Sequence, residues 1–93
     1  MDILSAKEAA AKALEYVSEL SPEAKYIALE GIELSPDQDA WLVIVGYVMA
    51  SDIPQMALVA ANVDMRSRRT YKRLILDAHT LDLRKMEPYE IAA

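Results

Sequence analysis

The chain has 93 residues, 54% of them hydrophobic, with a net charge of −5 and no Cys. That size fits one domain spanning residues 1–93 with one real core, and the apolar fraction excludes a disordered chain. Without Cys, disulfides, thiolate metal sites and Cys nucleophiles are excluded, and a small domain lacking covalent staples fits a reducing cytoplasm.

Ser5 to Leu20 reads as the first element, a helix. Ser5 and Glu8 have the spacing of a capping box, in which the Ser hydroxyl accepts an early backbone N–H and the Glu reaches back. Ala6, Ala9, Ala10, Ala13, Leu14 and Val17 then recur at helical spacing. A stripe this rich in Ala permits close approach to a partner surface. Ser21-Pro22 ends the helix, because a residue before Pro disfavours the α region.

Ala24 to Leu34 reads as a strand, with Ile27 and Leu29 on one face and Tyr26, Ala28 and Glu30 on the other. After Gly31 the apolar residues become Ile32 and Leu34, so the parity changes and a bulge is predicted at Gly31. Ser35-Pro36-Asp37-Gln38-Asp39 is a turn by composition. Trp41 to Met49 is a second strand without a single charge. Trp41, Val43, Val45, Tyr47 and Met49 share one face, and Leu42, Ile44 and Val48 share the other. A strand apolar on both faces wants cover on both, and one helix covers only one.

Residues 51–65 read as a variable insertion, helical or irregular. Ile53, Met56, Ala57, Ala60 and Val63 fit a short helix with Pro54 in its first turn, whereas Ala57, Val59, Ala61 and Val63 also fit a strand. Tyr71 to Asp77 and Leu81 to Met86 then form a closing hairpin around Ala78-His79-Thr80, with Leu74, Leu76, Leu81 and Leu83 pointing inward and Pro88 ending the sheet. The fold class expected is α+β, one N-terminal helix packed on an antiparallel sheet of about four strands.

Trp41-Leu42-Val43, Tyr71-Lys72 and Asp77-Ala78-His79-Thr80, in this order of elements, resemble small bacterial PepSY-like domains of the cystatin-like fold. The resemblance runs from Ser5 to Met86 and implies a binding or inhibitory module. It departs at Leu81, where the related pattern has Gly; a turn needing positive φ there is strained by a leucine. Cystatins inhibit cysteine proteases through Q-x-V-x-G. The nearest match, Leu42-Val43-Ile44-Val45-Gly46, lacks the Gln and lies within a strand, so that activity is not carried over.

Chemistry is sparse. His79 is the only His, so no second His or Cys completes a transition-metal site, and it reads as a solvated turn residue. Ser5, Ser21, Ser35 and Ser51 serve as caps or turns, and no G-x-S-x-G or Gly-rich phosphate loop is present. Asp37 and Asp39 lack the rest of a Ca²⁺ loop. No catalytic residue, metal or cofactor is expected.

Charge is uneven: residues 1–64 carry a net −8 and residues 65–93 a net +3, so the two parts attract each other within one fold or between two copies. Arg66, Arg68, Arg69, Lys72 and Arg73 form a candidate anion-binding cluster, although an acidic chain disfavours nucleic acid. The same charges also fit a solvated edge that deters strand pairing. The N-terminus lacks a secretory pattern, and the uncharged run from Ala40 to Ala50 is shorter than the roughly 18 residues of a membrane span, so no membrane partner is expected.

The remaining candidate is the face of Trp41, Val43, Val45, Tyr47 and Met49, which is either an interface or a surface dried by residues 51–65. The resulting expectation is a non-enzymatic protein-interaction module that forms a homo-oligomer, a dimer, through its second sheet face. The alternative is an inhibitor or immunity-type protein that binds a specific enzyme.

Overall fold

The structure, a computed structural model, describes residues 2–50 and 69–90. The insertion expected at 51–65, together with Ser51, Arg66 and Arg68, lies outside the described residues. Among these residues one helix, α1 (Ala6–Leu20), packs on four strands: β1 (Ala24–Ser35), β2 (Ala40–Met49), β3 (Thr70–Asp77) and β4 (Leu83–Pro88). The strands form one antiparallel sheet in the order β1-β2-β3-β4. The arrangement is α+β.

The helix starts where its chemistry requires. Ser5 is the N-cap with extended φ and ψ, its hydroxyl accepts from the Glu8 N–H at 3.1 Å, and the Glu8 carboxylate accepts from the Ser5 N–H at 3.0 Å. Such a cap stabilises by about 1 kcal/mol. At the other end Ser21 caps, donating its N–H to the Val17 carbonyl before Pro22. Ala9, Ala13 and Val17 are fully buried.

The core lies between α1 and one sheet face. Val43, Val45, Leu74 and Leu76 are fully buried there, and Tyr47 nearly so. Trp41, Met49, Leu83, Met86, Ile27 and Ile32 pack against them. Burying each Val or Leu contributes about 1.5–3 kcal/mol. Trp41 finds a partner for its indole N–H in the Leu4 carbonyl, at 2.9 Å, so the extended segment before the helix is stitched to the sheet by the same side chain that helps fill the core.

This corrects the placement of Trp41, Val43, Val45, Tyr47 and Met49 expected from sequence. They form the helix-covered side of β2 and do not make an uncovered interface. The cause is register. Val43 stands opposite Leu74 and Trp41 opposite Leu76, so the inward leucines of β3 pull the odd-numbered residues of β2 beneath the helix.

β1 departs from regular pairing twice, between Lys25 and Ala28 and between Leu29 and Gly31. The second shift lies at the position where the change of parity predicts a bulge, and it returns Ile32 to the helix side, opposite Val43. The alternation of residues along β1 does not mark the first shift. Tyr26 takes φ 54° there, a left-handed conformation rare for a bulky residue.

Candidate interaction surface

The sheet face turned away from α1 is built from the alternate residues of each strand. Pairing places Glu33, Leu42, Ile75 and Lys85 in one row across it. Gly31, Ile44, Arg73 and Glu87 make the next row. Leu42, Ile44 and Ile75 are half-buried apolar side chains at the centre, while Glu33 and Lys85 are exposed at opposite margins. A shallow depression of about 240 Å³ runs between Gly31, Leu42, Ile44, Arg73 and Tyr89. Tyr89 is 37% exposed at its rim.

Two ion-pair groups frame this face. Arg73 donates to Glu87 through Nε at 2.7 Å and through Nη2, and Lys85 approaches the other Glu87 oxygen at 3.0 Å. The Arg73 hydrogen bond, then that of Lys85, holds the Glu87 carboxyl below its usual pKa. Arg69 reaches across β2 to donate to the Tyr26 carbonyl at 3.2 Å and lies 3.5 Å from Glu30. Both partners belong to the irregular stretches of β1, so one guanidinium ties the two bulges to the start of β3. It passes directly over Gly46. A β-carbon there would stand 2.9 Å from the Tyr71 ring and 3.0 Å from Arg69, so Gly46 makes room for this strap.

A second polar group sits where the β1–β2 and β3–β4 turns meet the N-terminus. The His79 Nε2 lies 2.7 Å from Asp39 Oδ2, and its Nδ1 lies 3.2 Å from the Asp2 carbonyl. Both neighbours are acceptors, so only the imidazolium satisfies both contacts. The Asp39 hydrogen bond first, then the Asp2 carbonyl, accordingly raises the His79 pKa above its ordinary value. Asp77 accepts from the His79 and Thr80 N–H groups and pairs with Arg84 at 2.6 Å. The Arg84 hydrogen bond, with those two N–H groups, lowers the Asp77 pKa to about 2. Arg84 also donates to the Gln38 and Asp39 carbonyls. The Leu4 N–H donates to the Ala78 carbonyl at 2.8 Å, which completes a clasp of three chain segments.

The described members of the candidate basic cluster, Arg69, Lys72 and Arg73, do not come together. Arg69 is taken by Tyr26 and Glu30, and Arg73 by Glu87. Lys72 stands opposite Val45, on the other side of the sheet from Arg73. Arg66 and Arg68 lie outside the described residues. His79 is a turn residue, as read from sequence, yet its side chain is engaged rather than solvated. Among the described residues no group of three or more His, Asp or Glu side chains is placed to hold a metal ion, and no helix is long and apolar enough to cross a membrane. The Leu42–Gly46 stretch lies inside β2, paired on both sides, and presents no loop tip.

Sequence reasoning missed the Leu42, Ile44 and Ile75 surface by reversing the two faces of β2. The signal that identifies it is pairing: once Leu74 and Leu76 point inward, Arg73 and Ile75 point outward and take Ile44 and Leu42 with them. Comparison of the chain with protein-family profiles, curated proteins and solved structures finds no match. The PepSY-like resemblance therefore rests on its three short motifs.

Proposed function

We propose that this protein is a non-enzymatic, cytoplasmic protein-interaction module that self-associates through the sheet face turned away from α1. One observation carries the reading: Leu42, Ile44 and Ile75 form an apolar centre on the side of the sheet that the helix does not reach. Apolar side chains gathered in the middle of a face with polar margins have the layout of an interface. Association through the outer edge of β1 is disfavoured by its two bulges, which interrupt the regular ladder that an added strand needs.

Light scattering behind a sizing column tests the proposal. The expected result is a dimer at micromolar concentration that dissociates on dilution, and a monomer for Leu42→Glu with unchanged circular dichroism. A wild-type chain that stays monomeric at high micromolar concentration contradicts it. Recovery of one stoichiometric enzyme with that monomer from the native host would favour the inhibitor or immunity-type reading.

A further inference from the structure

The row Glu33–Leu42–Ile75–Lys85 runs from an acid on the β1 edge, through two apolar residues, to a base on the β4 edge. Read backwards it is its own complement. Resting on the self-association reading, we infer that a second copy packs face to face about a two-fold axis parallel to the strands, so that β1 of each copy lies over β4 of the other and Glu33 of each copy meets Lys85 of the other.

Only two in-plane two-fold axes stack these faces in register with their strands aligned. An axis across the strands places β1 on β1, bringing Glu33 toward Glu33 and Lys85 toward Lys85. An axis along the strands reverses each row, so that both ends gain an opposite charge and Leu42 meets Ile75. An isologous interface makes every such contact twice. Aligned sheets pack at about 30°, which leaves the central row in closest register and the others offset around it.

Relief agrees with charge. The β1 side of the face is low: above Gly31 a β-carbon would meet only Ile44, at 3.9 Å. At the β4 end of the same row stands the Glu87 side chain, and Tyr89 lies at the rim of the depression. Reversal lays Glu87 of each copy over the bare Gly31 of the other. Lys85 is free to turn toward a second copy, since its side chain is 63% exposed and its contact to Glu87 leaves that carboxylate still held by Arg73.

Charge reversal provides the test, read by light scattering and by sedimentation over a dilution series. Glu33→Lys alone and Lys85→Glu alone each place like charges together twice and should raise the dimer Kd by about tenfold or more. The double variant in one chain should return it to within a few-fold of wild type. An equimolar mixture of the two single variants should associate more tightly than either alone. Both sites are exposed, so folding should be unaffected, which circular dichroism checks. A wild-type monomer would overturn both this arrangement and the self-association beneath it. A wild-type dimer indifferent to the single reversals, or one that the double variant fails to restore, would overturn the arrangement and leave the self-association standing.

Discussion

Leu81 shows at the scale of one residue how local strain and burial trade against each other. It occupies φ 64° and is only 7% exposed, packed in the core cluster. Its carbonyl accepts from the Tyr16 hydroxyl, which in turn accepts from the Leu83 N–H. A left-handed conformation costs a non-glycine residue about 1 kcal/mol, and burial of the leucine offsets it with about 2 kcal/mol. This turn is thus anchored by its leucine side chain. Two substitutions separate the terms. Leu81→Ala loses the packing and keeps the strain, and should destabilise by about 3 kcal/mol. Leu81→Gly loses the packing and sheds the strain, and should be the more stable of the two by about 1 kcal/mol. Chemical denaturation measures both; an alanine variant equal to or better than the glycine variant would show that the turn is unstrained.

At the scale of elements, the N-terminal segment and the two turns are joined by titratable groups, so their association follows pH. The groups facing His79 are the Asp39 carboxylate, the Asp2 carbonyl and Asp77, while Arg84 donates to the Gln38 and Asp39 main-chain carbonyls and to the Asp77 carboxylate. The His79 pKa is raised on folding, so its contribution is complete below the ordinary 6.5 and is lost as pH rises through the higher folded value. Asp77 runs the other way. Its pKa is lowered from 3.8 to about 2, so its contribution is present above 3.8 and is lost as pH falls toward 2. Proton NMR should place the His79 midpoint above that of free histidine, with the Ile3 and Leu4 amides shifting at the same midpoint and losing that response in His79→Gln. A midpoint at or below 6.5, or amide shifts indifferent to the substitution, would detach the N-terminus from His79. Little of this clasp is legible in the sequence. Asp77 and Asp82 flank His79 in the chain, but the partner that matters, Asp39, arrives from a separate hairpin 40 residues away.

For the whole molecule, the elements are legible where a short motif or a period dictates them, and the assembly is not. The capping box starts α1, the parity change at Gly31 marks a bulge, and Leu74 and Leu76 point inward. The phase of β2 escapes a local reading because both of its faces are apolar, so alternation along the strand carries no information about which side meets the helix. The polar neighbours that betray the outer face, Glu33, Arg73 and Lys85, belong to three other strands and join it only through pairing. The bulge at Tyr26 escapes for a similar reason, since its carbonyl is held by Arg69 from the far side of the sheet. Among the described residues, α1 covers one side of the sheet, and a self-complementary row runs across the other. The most direct measurement is an amide NMR spectrum recorded across a dilution series. Association through this face predicts concentration-dependent shifts at Leu42, Ile44, Ile75 and Lys85, with Tyr26 and Leu29 on the β1 edge unchanged. A spectrum that does not change with concentration, or shifts confined to that edge, would contradict it.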